Sequence, residues 1–246
     1  MQQFIDAHAH MDKFEDPEAT VSAAKAAGCI AIVASGYNHD ANVKSVLLAS
    51  KFSNYIFPVI GIAPSVAMDM GEKEFAEAFK YVEEHAHKCV AIGEIGLDFH
   101  WPTKTEQIER EHRAFDMQLE LALSKKLPVV IHSRKAESET VERLISAKAE
   151  KVLLHFFSGT PETAIKAADA GFYFTTPPVK SSTRMKMLAA IPLERILLES
   201  DSPYVAKAPA DAVGAASLVA KAKGISIEEA IKSTTENARR FFGLKL

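Results

Sequence analysis

The chain has 246 residues, 48% of them hydrophobic and 25% charged, with a formal net charge of −3. That balance excludes a disordered chain, and the length suits one domain, 1–246, built on a single large core. No apolar run approaches the roughly 18 to 20 residues that cross a bilayer, Asp6 arrives too early for a secretory signal, and no Lys/Arg block favours nonspecific binding along a duplex, so the expectation is a cytoplasmic protein with no membrane association and no evident obligate protein partner.

In chain order, Phe4-Ile5-Asp6-Ala7-His8-Ala9-His10 reads as a first strand. Asp16-Pro17-Glu18 opens a helix that Gly28 stops. Residues 29–34 read as a buried strand, 41–51 as a helix and 55–60 as a third strand. A helix over 71–85 precedes a fourth strand at 89–92, which runs into Gly93-Glu94-Ile95-Gly96-Leu97-Asp98. A long helix over 105–126 leads to a fifth strand at 128–134, and a helix over 137–147 leads to a sixth at 151–155. Pro161 and Gly171 bracket the next helix, before strand seven at 172–175, a short helix at 184–190 and strand eight at 195–201. An alanine-rich helix over 212–223 follows, and the capping box Ser226-Ile227-Glu228-Glu229 opens the last. Near-continuous apolar strands alternating with amphipathic helices predict an α/β fold with a parallel sheet covered by helices. Eight such units at this length predict a TIM-type (β/α)8 barrel. An open doubly wound sheet is the alternative, but no Gly-x-Gly-x-x-Gly turn follows the first strand. Cys29 and Cys89 each open an apolar run without C-x-x-C spacing, which predicts buried, reduced thiols.

The chemistry-bearing residues fall in a pattern. His8 and His10 lie one residue apart on an extended backbone and project the same way, with Asp6 one step below, where a carboxylate can fix the tautomer of a ligating histidine. Glu94, His132, His155 and Asp201 end the fourth, fifth, sixth and eighth apolar runs. In a parallel barrel the carboxyl ends of the strands share one face, so residues far apart in sequence converge there. Imidazoles and carboxylates together suit two divalent ions sharing Glu94 as a bridge, with zinc, manganese or magnesium as candidates.

The stretches Asp6-Ala7-His8-Ala9-His10, Gly93-Glu94-Ile95-Gly96-Leu97-Asp98, Val130-Ile131-His132-Ser133-Arg134, His155-Phe156-Phe157-Ser158-Gly159 and Glu199-Ser200-Asp201-Ser202-Pro203-Tyr204 give the chain its resemblance to the TatD-type metal-dependent deoxyribonucleases, a branch of the amidohydrolase-like barrels. The resemblance covers essentially the full length. It implies one metal on His8, His10, Glu94 and Asp201 and a second on Glu94, His132 and His155. It also implies hydrolysis of DNA phosphodiesters, mainly by trimming 3′ ends. Metal-activated water would attack phosphorus while Asp201 takes up the proton, so Asp201 and Glu94 are the candidate catalytic residues. The sequence departs from the family pattern at Gly61-Ile62-Ala63-Pro64, where Ala63 replaces a histidine. It departs again after Tyr204, where Lys207-Ala208-Pro209-Ala210 replaces an Arg-Gly and Asn-Glu-Pro stretch.

For the substrate, Arg134 and Lys180 each follow a barrel strand and are candidate phosphate contacts. Trp101, Phe157 and Tyr204 are candidates for stacking bases of a single-stranded end, against the commoner role of such aromatics in packing. Glu199 shares strand parity with Asp201 and is placed to support a ligand from beneath. His39, His85, His87 and His112 fall on or beside helices and are expected in solvent, while His100 is left open. The expected partner is a nucleic acid end, chiefly single-stranded DNA, or a small phosphoester. Two rival readings remain: the same site acting on another ester, such as an aminoacyl-tRNA, and a noncatalytic metal-binding scaffold.

Overall fold

A computed structural model describes residues 2–246. Its strands are β1 (Phe4–Ala9), β2 (Cys29–Ser35), β3 (Ile56–Ile60), β4 (Ala91–Asp98), β5 (Val129–Arg134), β6 (Val152–Leu154), β7 (Tyr173–Thr176) and β8 (Ile196–Leu198). They pair in parallel in chain order as one 8-stranded sheet. The ring closes just beyond β8. Ala9 bridges Ser202, the His10 N–H donates to the Ser202 carbonyl at 2.8 Å, and the Asp201 N–H donates to the His8 carbonyl at 2.9 Å. Around the barrel lie α1 (Pro17–Ala26), α2 (His39–Lys51), α3 (Pro64–Ala67), α4 (Glu72–His85), α5 (Thr105–Lys125), α6 (Glu137–Ser146), α7 (Pro161–Asp169), α8 (Ser182–Ala190), α9 (Ala216–Lys223) and α10 (Ile227–Phe242). This is the TIM-type barrel that the alternating pattern predicts.

Strand alternation divides the core in two. Ile5, Val33, Val59, Val130, Leu153 and Leu197 form an inner cluster that packs with Phe241 and Phe242 of α10. Their strand neighbours Phe4, Ile32, Ile131, Leu154 and Leu198 belong to the outer layer beneath the helices. Two residues on from Val130, Leu153 and Leu197 come His132, His155 and Glu199, so each polar side chain sits on the inward row of its strand, one step nearer the carboxyl end. Apolar filling at the starts of the strands thus gives way to titratable groups at their ends.

The fourth strand differs from expectation: β4 extends to Asp98, and Glu94 lies within it rather than after it. Gly93 and Gly96 allow the close approach of β4 to β5. Gly96 sits at φ +141°, and a Cβ on it would fall 2.0 Å from the His132 carbonyl oxygen. Register shifts between Ile92 and Ile95 on β4, and twice along β1, interrupt the alternation at the ligand-bearing residues, as bulges that re-aim side chains do. The helix predicted over 212–223 divides into a 3-10 turn, Pro209–Ala215, and α9. Asp211 is the cause: its carboxylate accepts the backbone N–H groups of Lys207 and Ala208, each at 3.0 Å, which caps that turn separately. The short α3 was not predicted. Cys29 and Cys89 are buried and free, as expected.

Candidate metal centre and active cleft

Glu94 is the hub of the polar cluster. Its Oε2 lies 3.6 Å from His8 Nε2 and 3.8 Å from His10 Nε2. Its Oε1 lies 2.8 Å from His132 Nδ1 and 3.6 Å from His155 Nε2. One carboxylate therefore divides its two oxygens between two pairs of imidazoles. Asp201 Oδ1 faces the first pair, 3.7 Å from His8 Nε2 and 3.4 Å from His10 Nε2. Asp201 holds this position in the left-handed region at φ 47°. Residues in sparsely populated backbone regions often cluster at active sites.

The imidazoles are held from behind. Ser35 Oγ meets His8 Nδ1 at 3.1 Å, Glu199 Oε2 meets His155 Nδ1 at 3.1 Å, and Asp98 Oδ2 meets His132 Nε2 at 2.8 Å. Glu199 is further fixed by the Phe156 N–H at 3.0 Å and the Thr175 hydroxyl at 2.6 Å. Such contacts set ring orientation and tautomer. Sequence reasoning anticipated Glu199 but assigned nothing to Ser35 or Asp98. The available signal was parity, since Glu94, Gly96 and Asp98 alternate on one row and Gly96 pairs with His132 across the ladder. Asp6 corrects an expectation. Its carboxylate touches no imidazole; it accepts the His8 N–H at 3.2 Å and both the N–H and the hydroxyl of Ser200, at 2.9 and 2.6 Å. The shifts in β1 carry the side chain away from the ligand rings and toward β8.

Burial and neighbouring charges set the protonation of several of these groups. Burial alone would raise the pKa of Glu94, but His155 and His132 hold it well below the usual carboxylate range, so it is anionic. Burial, reinforced by the neighbouring His155, keeps His8 well below the usual imidazole value and thus neutral with a free lone pair. Burial would lower His132 too, yet Asp98 and Glu94 hold it up at about 9. The Nε2 atoms of His8 and His10 approach to 3.3 Å. Ligand atoms of His8, His10 and Asp201 lie within 4.8 Å of one another, as do those of His8, Glu94 and His155. Imidazole nitrogens and carboxylate oxygens at this spacing form a donor set that fits divalent metal once His132 and His155, which the neighbouring carboxylates hold above the usual imidazole value despite burial, give up their protons.

Behind the cluster, α5 supplies Glu111, fully buried, whose Oε2 accepts the Asp98 N–H at 2.9 Å while Oε1 has no partner. Burial pushes its pKa up from 4.5 to about 7 despite the bond from Asp98. The folded protein therefore keeps this proton to higher pH than the unfolded chain, and stability should fall as pH rises from about 4.5 to about 7. Glu111→Gln retains an acceptor for Asp98 without the charge. The variant should gain on the order of 1 kcal/mol or more over the native chain at pH 8 and little at pH 4.5, read from Tm against pH. Parallel Tm curves would show that Glu111 does not titrate in this interval.

A cleft of about 570 Å³ opens over the cluster, with Arg134, Trp101, Tyr37, Tyr204, Phe156 and Ala63 among its walls. Trp101 and Tyr204 are 51% and 60% exposed, and the Arg134 guanidinium lies 5.5 Å from the Trp101 ring centre. Tyr37 and Tyr204 set their rings edge-on to His10 at 5.4 and 5.0 Å. Phe157 corrects an expectation: it is buried in the core against Phe174 and does not face the cleft, because the chain turns after β6, with Phe156 at φ 44°, and lays the next ring inward. Lys180 is exposed and is not among the residues lining the cleft. His39 and His87 are exposed as expected. His85 and His112 are half-buried instead, His85 stacked on Tyr81 and His112 paired with Glu139, because each helix lays one side of the ring on a neighbour. His100 packs on Trp101.

A parallel barrel that gathers four buried or half-buried imidazoles around two carboxylates at the ends of its strands defines a metal-dependent hydrolase. The chain belongs to the TatD related DNase family, whose model matches residues 5–243. Human deoxyribonuclease TATDN3 is 33% identical over 97% of this chain and 94% of its own length. A metal-dependent hydrolase of Bacillus subtilis, YabD, is 32% identical over 97% of this chain and 98% of its own. The crystal structure of the TatD homologue YJJV from Escherichia coli superposes with a TM-score of 0.87 at 25% identity, covering 98% of each chain. Among the described residues, no helix is long and apolar enough to cross a membrane.

Proposed function

We propose that the protein is a phosphodiesterase that trims single-stranded DNA from the 3′ end. The observation that carries this reading is the rim of the cleft, where exposed Trp101 and Tyr204 offer faces for unpaired bases and Arg134 offers a guanidinium for a backbone phosphate beside the ligand cluster. The deoxyribonuclease name of the human relative agrees with it. His8, His10, Glu94 and Asp201 would hold one divalent ion, and Glu94, His132 and His155 a second, with zinc, manganese or magnesium as the candidates. Bound there, such ions would supply Lewis acidity and make water acidic enough to act as a nucleophile near neutral pH.

The remaining steps belong to the side chains. Trp101 and Arg134 orient the strand end, and Glu94 stays ionised between the two pairs of imidazoles. Asp201 takes the proton from the attacking water and returns it toward the leaving oxygen. Asp98, Ser35 and Glu199 keep the rings from turning as charge shifts. Lys180 stays a candidate for longer-range attraction of the strand, from outside the cleft.

Ala63 at the cleft wall leaves room where the family pattern places a histidine, and the Arg-Gly segment is missing, so turnover should be slow and distributive. End-labelled single-stranded and duplex DNA, incubated with protein loaded with each metal, should show stepwise shortening of single strands, weak action on duplex, and loss of both with chelator. Rapid processive degradation of long duplex would overturn the single-strand reading. Hydrolysis of carboxyl esters without any action on DNA would transfer the site to the rival substrate class.

A further inference from the structure

Arg184, in the first turn of α8, is a buried charged residue that the metal centre does not explain. It is 6% exposed, and its Nε and Nη1 are buried without a hydrogen-bond partner. The flat face of the guanidinium is occupied, 4.7 Å from the Phe156 ring centre, which leaves the in-plane N–H edge free. Glu199 is the carboxylate whose charge it feels, but that group is already committed to His155, Phe156 and Thr175. An unpaired buried cation is costly, and burial lowers the Arg184 pKa from its usual value.

Arg184 lines a cavity of about 30 Å³ together with Phe157, Ser158, Gly159, Ser181, Thr183 and Met187. Helix geometry adds donors. Ser181 caps α8 by accepting the Arg184 N–H at 3.1 Å, and the N–H groups of Ser182 and Thr183 have no acceptor within the helix. One water needs roughly 10–15 Å³ of such space, so the cavity of about 30 Å³ admits two or three oxygens of one tetrahedral anion, which would enter it part-way, but no base or sugar. Lys180 immediately precedes the cap, which adds positive charge near this end of α8. The opposing group is Glu137, whose carboxylate accepts the Ser158 hydroxyl at 2.6 Å. Ser158 lines both this cavity and the main cleft, and Phe156, under the guanidinium, lines the cleft as well.

We propose that the Arg184 cavity is a second phosphate subsite, which receives the substrate phosphate neighbouring the one that is cleaved. The proposal rests on the reading of the protein as a phosphodiesterase. It gives the enzyme a preference for substrates with two phosphates in sequence over those with one, and it assigns the buried guanidinium its counterion.

The test uses the metal-loaded full chain and three dinucleotides: TpT, with one phosphate, and pTpT and TpTp, with a second at either end. One of the two-phosphate substrates should be cleaved with kcat/KM about tenfold to hundredfold above TpT, mostly through KM, as expected for hydrogen bonds to charged groups. The ratio should fall to near one in Arg184→Met and to an intermediate value in Arg184→Lys, which keeps the charge but loses the fork. Arg184→Met should fold with an equal or higher Tm, since it removes an unpaired buried charge. A ratio near one for both substrates in the native chain, or one that Arg184→Met leaves unchanged, would overturn the subsite. If none of the three substrates is cleaved, the phosphodiesterase reading fails, and the cavity is judged separately. Inorganic phosphate titrated into chelator-treated protein and followed by 31P line broadening should bind the native chain and Asp201→Asn but not Arg184→Met. Equal broadening in all three would overturn it.

Discussion

Glu94→Gln is expected to lose metal and activity together, whereas Asp201→Asn is expected to keep most of its metal and lose nearly all turnover. The difference follows from what each carboxylate touches. Glu94 gives one oxygen to His8 and His10 and the other to His132 and His155, so both halves of the centre depend on its charge. An amide there removes the charge and offers an N–H₂ to one pair of imidazoles in place of an acceptor, leaving that half without a ligand. Asp201 faces only His8 and His10. Asparagine in its place keeps an oxygen toward them and tolerates the left-handed backbone at φ 47°, so the fold and the ligand geometry survive. What is lost is the proton acceptor, which typically contributes 10²- to 10⁴-fold in rate. Elemental analysis beside steady-state rates separates the two outcomes. An Asp201→Asn protein with native turnover would remove that residue from the proton path, and a Glu94→Gln protein with a full metal complement would show that Glu94 is no bridge.

Asp6→Ala should be the most destabilising single change near the site. Asp6 is fully buried and accepts three donors, the His8 N–H and the N–H and hydroxyl of Ser200. The two bonds from Ser200 join β1 to the chain just after β8, where the barrel closes. Truncation leaves three donors without an acceptor in a dry place, at about 1–3 kcal/mol each. Burial raises the pKa of Asp6 well above its usual value, so removal of the carboxyl also relieves a desolvation cost, and a net loss of about 3–5 kcal/mol is expected. For a chain of this size that corresponds to a Tm lower by roughly 10 °C. Asp6→Asn, which keeps one acceptor, should lose less. Because Ser200 adjoins Asp201, metal retention should fall in the same order as Tm across the series. A native-like Tm for Asp6→Ala would mean that barrel closure does not depend on this carboxylate.

Periodicity and punctuation were enough to read the barrel. Near-continuous apolar strands, Pro17 and Pro161 at helix starts and Gly28 and Gly171 at helix ends are local signals, because burying one face of an element constrains its own residues regardless of what lies opposite. The same logic exposed His8, His10, Glu94, His132, His155 and Asp201, since a titratable residue at the end of an apolar run stands out and a parallel barrel brings all such ends to one face. Tertiary structure alone decided which atoms meet. The sharing of Glu94 between two pairs of histidines depends on how β4 lies against β5, a close approach that Gly96 permits beyond the stretch 89–92 that periodicity marks as strand. Asp6 turned from the imidazoles to Ser200 because register shifts in β1 broke the alternation that sequence logic assumed. Ser35 and Asp98 became supports for histidines only through contacts across strands, and Arg184 became a buried cation only because the start of α8 lays its guanidinium against Phe156. Such pairings are set by register, twist and close approach between distant segments, and no local pattern encodes them.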